Sequence, residues 1–252
     1  MKHFSKLVAC LSVLVLLASC NLLGNKIEGK QTAKVVQKKL TPRAFNSVCN
    51  YSDCDVSFVQ SDSTYVLLRG KADEIDKIDV SFDGKTLNIT RKEKSGFFGH
   101  GGEVKIIVSS PDLQFVCIAG TGDFTCGGVV YAEKMDVELD GTGDAVFSDV
   151  ECNAMTLNVS GTGDFSAKRI KTLAFDVTSD GTGDVSAMLQ ETDEVSLVSS
   201  GTGDIEIKFS NCGRVSCDLS GTGDANLSGN VSQLLKSVSG TGDLDTENLK
   251  IE

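Results

Sequence analysis

Histidine, proline and tryptophan are nearly missing from this 252-residue chain, which has two His, two Pro and no Trp. His3 falls in what reads as an export signal, so a Ser-His-Asp or Cys-His catalytic arrangement would rest on His100 alone. The prolines are Pro42 and Pro111, so nothing beyond residue 111 interrupts a hydrogen-bonded stack of strands. No Cys-x-x-Cys occurs among the nine cysteines and no histidine accompanies them, so zinc is not expected. Basic residues are scarce in the second half. Residues 1–111 carry 16 Lys and Arg against 11 Asp and Glu, whereas residues 112–252 carry 8 against 24. That second half would repel nucleic acid and an anionic membrane surface alike.

What is present begins with Lys2 and Lys6, followed by an apolar run from Leu7 to Ala18. This is a secretory pattern, too short for a comfortable transmembrane helix. It ends at Leu17-Ala18-Ser19-Cys20, which resembles a bacterial lipobox and implies cleavage before Cys20 with lipid on its sulfur. Residues 1–19 are therefore read as signal peptide, with the membrane as a partner through the lipid on Cys20. Residues 20–40, rich in Lys, are read as a flexible basic tether.

Residues 41–112 read as irregular β structure. Val56 and Phe58 alternate with polar residues, as do Ile78, Val80 and Phe82, and Asp83-Gly84 marks a hairpin turn. The Gly-rich stretch from Lys92 to Gly102 carries Phe97, Phe98 and His100, either as a contact loop or as a cap over the end of the fold.

Residues 113–252 repeat Gly-Thr-Gly-Asp seven times, beginning at Gly120, Gly141, Gly161, Gly181, Gly201, Gly221 and Gly240, with steps of 21, 20, 20, 20, 20 and 19. Aligned on the first Gly, apolar columns stand at six, four and two positions before it, as in Met155, Leu157 and Val159. Others stand just after it, as in Phe165 and Ala167. This is strand, corner, strand at one coil per repeat, and such a unit buries its apolar face only by stacking on copies of itself. The expected fold is all-β: a parallel β-solenoid with coils of about 20 residues and rungs about 4.8 Å apart. Glycine suits the corner because it tolerates positive φ and close backbone approach between rungs.

The stack places Asp123, Asp144, Asp164, Asp184, Asp204, Asp224 and Asp243 in one column. Like charges about one rung apart repel by ~1 kcal/mol, so something must offset them. Backbone N–H groups at the corner are one candidate and a row of Ca²⁺ ions the other. Cys49 and Cys54 are the expected disulfide, Cys126 and Cys217 face inward, and Cys152 and Cys212 share a column too far apart to bond. Gly99-His100-Gly101 and Arg169-Ile170-Lys171 match short signatures of pectin-cleaving β-helices, but the paired aspartates of those enzymes are missing.

The order of features resembles the bacterial auto-transporter adhesin, head GIN domain family. The residues that carry it are Arg43-Ala44-Phe45, the Asp83-to-Ile89 turn, the Val104-to-Val108 strand, Pro111-Asp112-Leu113 and the recurrent tetrapeptide. The resemblance spans about residues 41–252 and implies a right-handed β-helix, a cell-envelope location and an adhesive role. The combined expectation is a lipid-anchored solenoid of the bacterial envelope, at the outer membrane, with a structural or adhesive role and no catalysis. Its partners would be envelope proteins or glycans. A calcium- or carbohydrate-binding module on the acidic corner stands as the alternative, and a polysaccharide-active enzyme stands behind both.

Overall fold

The structure, a computed structural model, describes residues 35–92 and 104–252. Cys20, Phe97, Phe98 and His100 lie outside these ranges. The chain enters through β1 (Val35–Leu40), followed by β2 (Ser47–Asn50), β3 (Val56–Gln60) and β4 (Tyr65–Lys71). A single helical turn, α1 (Ala72–Ile75), leads to the hairpin of β5 (Ile78–Asp83) and β6 (Thr86–Arg91), and β7 (Lys105–Ser110) closes the region. Gly84 turns that hairpin at φ +59°. Residues 35–40 were expected to finish the tether, but they form a strand antiparallel to β4, because Val36 and Leu40 have core to pack against.

The repeats then alternate between two columns of parallel strands. The first column holds β8 (Phe115–Ile118), β10 (Lys134–Leu139), β12 (Ala154–Val159), β14 (Ala174–Ser179) and β16 (Glu194–Ser199). The second holds β9 (Phe124–Tyr131), β11 (Ala145–Glu151), β13 (Phe165–Lys171) and β15 (Val185–Gln190). β17 (Ile205–Leu219) and β18 (Ala225–Val238) each run through both columns, and the short β19 (Leu244–Asp245) and β20 (Leu249–Ile251) finish the stack. Register follows the repeat length, so Met135, Met155, Phe175, Val195, Val215 and Leu234 are successive neighbours.

Along most of these strands alternate residues point inward and are buried, as the alternation requires. Phe58, Phe124, Phe147 and Phe165 stack through the interior with ring centroids 6.2, 5.5 and 5.9 Å apart. Such offset contacts add to area burial. Val238 and Ile251 stand at inward positions of the last described coil, where none is stacked on them, and remain exposed.

The N-terminal end is not stacked in sequence order. β2 pairs with β6 on one side and β8 on the other, and β3 lies between β7 and β9. The coil made first by the chain is therefore inserted between a later coil and the ladder. Beyond β6 and β7 the strands turn antiparallel, β5 on β6 and β4 on β7, with β1 outermost. This closes the end and covers the strand edge that a bare solenoid would expose.

Candidate functional site

Each Gly-Thr-Gly-Asp turns the chain from the first column to the second. None of its fourteen glycines has positive φ; among the described residues, only Gly84 and Gly229 do so among glycines. The need for glycine is spacing alone. A Cβ on Gly161 would lie 2.1 Å from the Gly141 carbonyl oxygen, and one on Gly163 would lie 2.0 Å from that of Gly143. The corners nest backbone on backbone, with the Thr162 N–H donating to the Gly141 carbonyl at 2.9 Å.

The aspartates resolve their own repulsion. The Asp184 N–H donates to Asp164 Oδ1 at 2.8 Å, and Asp204, Asp224 and Asp243 repeat the bond at 2.8 Å on the rung before each. The carboxylates of Asp123, Asp144, Asp164, Asp184, Asp204 and Asp224 thus each accept a charge-assisted bond from the next coil. The threonines of the seven corners point to solvent. Among the described residues, the metal-ligating side chains that converge in a group of three are Cys117, Glu138 and Asp140, rather than the corner aspartates.

The ladder also has an eighth corner, which the repeat count misses. Ser52-Asp53-Cys54-Asp55 sits beneath the first Gly-Thr-Gly-Asp, with the Asp123 N–H donating to Asp55 Oδ1 at 3.3 Å. Here buried Asn50 braces the turn, donating to the Cys54 and Gly122 carbonyls and accepting from Ser52. The visible signal was Asp55 followed by the alternating Val56-Ser57-Phe58. Its distance of 68 residues from Asp123 hid it.

Opposite these corners, where the second column returns to the first, lies an open cleft of about 670 Å³. Tyr131, Glu151, Lys171 and Glu191 follow one another along it on successive rungs. Tyr131 is 59% exposed, while Gln60 grips its backbone through bonds of 2.7 and 2.8 Å. Lys171 pairs with Glu191, and Arg169 bridges Asp149 and Glu151 at 2.6 and 2.8 Å. The Lys171 hydrogen bond holds the Glu191 carboxyl below its ordinary range. Glu191 has φ +53°, a left-handed conformation that is uncommon away from glycine and concentrates at binding clefts. The Arg169-Ile170-Lys171 signature is therefore used in ion pairs on either side of a buried Ile170.

The cysteines are arranged differently from the expected disulfide. Cys54 points into the core, whereas Cys49 faces outward on β2 beside Cys117 of β8. The alternation of the strand separates Cys49 from Cys54, and stacking supplies Cys117 instead. Hydrogen bonding from the Cys117 thiol lowers Cys49 below the ordinary thiol value, and the same bond raises Cys117. Tyr51, next to both, is pushed up to about 12, chiefly by the Cys49 charge. Burial raises Cys54 and Cys217 to about 11. Cys126 and Cys217 are buried core residues, as their columns required.

The model of the family described as "Putative auto-transporter adhesin, head GIN domain" matches residues 44–209 and 189–252. The chain belongs to this family. A solved structure described as a putative adhesin from Bacteroides fragilis NCTC 9343 is similar at 20% identity and TM-score 0.72, over 84% of this chain and 97% of that one. A putative adhesin from Parabacteroides merdae ATCC 43184 is similar at 15% identity and TM-score 0.61, over 85% and 97%. A protein from Parabacteroides distasonis ATCC 8503 described as a putative lipid binding protein matches at 18% identity and TM-score 0.60, over 85% and 98%. At these identities the likeness establishes the head GIN solenoid fold. No curated protein matches the sequence.

Proposed function

We propose that this head GIN solenoid is a lipid-anchored protein of the bacterial cell envelope, held at the outer membrane through Cys20, with an adhesive and structural role and no catalytic one. The observation that carries the adhesive part is the return-corner cleft. It is an open trough beside the exposed ring of Tyr131, flanked by Gln114 and Asn153, rather than an enclosed pocket. An aromatic face beside amide and carboxylate groups suits an extended polar ligand, which stacks a ring and exchanges hydrogen bonds along the rod. The repeats supply a rigid support for that trough.

This favours a glycan over a calcium ion as the ligand and moves the binding surface from the acidic corner to the opposite side. The test has two arms. Protease shaving of intact cells should release the chain if it is displayed outward. Purified protein should bind bacterial or host glycans on an array, and Tyr131→Ala should weaken that binding about tenfold without changing Tm. Resistance to shaving would count against surface adhesion, and equal binding by Tyr131→Ala would remove the cleft from the reading.

A further inference from the structure

The solenoid brings together three ligand-bearing side chains that are scattered in sequence and sets a fourth, Cys49, one rung from the first of them. Cys49 on β2 is the register neighbour of Cys117 on β8, and Cys117 is the register neighbour of Glu138 on β10. Asp140 follows Glu138 by two residues and faces the same way. The Cys117 sulfur and the carboxylate oxygens of Glu138 and Asp140 all lie within 4.8 Å of one another. The two thiols are 4% and 6% exposed although they sit on the outward side of their strands. Glu138 has no ion pair or hydrogen-bond partner within the described residues, and the Asp140 carboxylate accepts one bond, from Ser160, at 2.6 Å.

Two cysteines in register on adjacent parallel strands stand about one rung, ~4.8 Å, apart. A disulfide needs Cβ atoms at roughly 3.5–4.5 Å, so this placement does not favour one. Two thiolates on a tetrahedral ion are separated by about 3.7 Å for Zn–S bonds of about 2.3 Å, which small side-chain rotations reach from rung spacing. We propose that Cys117, Glu138 and Asp140, with Cys49 as the fourth ligand, bind a single thiophilic divalent ion of the zinc type. Sulfur donors select such an ion over calcium or magnesium, which take oxygen ligands. Tyr51, two residues after Cys49 on the same side of the chain, stands beside the site as an outer partner. The ion would staple the out-of-order coil of β2 to the two coils that follow it, across a chain separation that only the folded stack closes.

The test uses the full chain, reduced and stripped with a chelator. Zn²⁺ should bind at one equivalent with a Kd of roughly 10 μM or tighter, read against a chromophoric competitor. Co²⁺ should give a near-ultraviolet thiolate charge-transfer band with tetrahedral visible bands, and Zn²⁺ should raise Tm. Cys49→Ser and Cys117→Ser should lose the band and weaken Zn²⁺ binding more than tenfold, while Cys152→Ser on the return corner keeps both. Glu138→Gln replaces a half-buried carboxylate by its isostere, folds as the parent does and should still weaken binding. Absence of the charge-transfer band, or binding untouched by Cys117→Ser or Glu138→Gln, overturns the site. So does a Cys49–Cys117 disulfide in the exported protein, mapped by non-reducing peptide mass spectrometry.

Discussion

Gly161→Ala isolates the reason for glycine at the corners. The added Cβ would lie 2.1 Å from the Gly141 oxygen and 2.7 Å from the Asp140 carbonyl carbon, both below the 3.0 Å that real Cβ contacts respect. Neither neighbour is a side chain that can swing away. The coils must part locally by about 1 Å, at an overpacking cost of about 1–3 kcal/mol. Parting also weakens the bond from Thr162 N–H to the Gly141 carbonyl, now 2.9 Å, for about 1 kcal/mol more. A total near 3 kcal/mol lowers Tm by about 10 °C in a domain of this size. Differential scanning calorimetry reads this directly. Gly127→Ala in β9 is the control, because nothing lies within 4 Å of its Cβ position. It should be neutral or stabilising by about 0.5 kcal/mol. Should Gly161→Ala melt within about 2 °C of the parent, the close-approach account is wrong.

Ser179 and Ser199 occupy the inward column two residues before the corner and have buried hydroxyls with no partner. Ser199→Ala should therefore stabilise the fold by up to about 1 kcal/mol in urea unfolding. Asp164→Asn keeps an oxygen for the Asp184 N–H and removes one charge from the column, whereas Asp164→Ala loses the bond. The Asn variant should be the more stable of the two by about 1 kcal/mol at low ionic strength. Glu74 is nearly buried and is held below its ordinary carboxylate range by a hydrogen bond from Lys77, with Arg91 assisting. A lowered folded pKa gives stability that is full above the unfolded value and is lost as pH falls through the folded one. Hydrogen-exchange protection across residues 72–91, corrected for the intrinsic pH dependence of exchange, should fall below the ordinary glutamate range, and Glu74→Gln should flatten that dependence.

The ladder was legible in the sequence because a fixed repeat length converts directly into register. The 20-residue step alone stacks Met135, Met155 and Phe175, and the aspartate column with them. Positive φ at the corner glycines could not be separated from close approach, since both ask for the same residue. Only the carbonyl of the preceding coil decides between them. The order of coils at the N-terminal end was not legible. β2 and β3 find their neighbours across gaps of unequal length, so no period announces them, and the Cys49–Cys117 contact was hidden with them. The return-corner cleft was missed because Tyr131 and Glu191 lie in the variable part of the repeat, where the sequence shows no column at all.

The inserted coil has a consequence for the order of folding. A chain that emerges from its N-terminus delivers β1, β2 and β3 first, yet β2 and β3 cannot complete their hydrogen bonds until β6 to β9 have followed. The earliest segment must wait for about eighty later residues, whereas every coil after β9 can settle as soon as it emerges, against one already in place. Whole 20-residue units added or removed beyond that point would lengthen or shorten the rod without disturbing its start. Reach is thus free to vary at one end while assembly is governed entirely at the other.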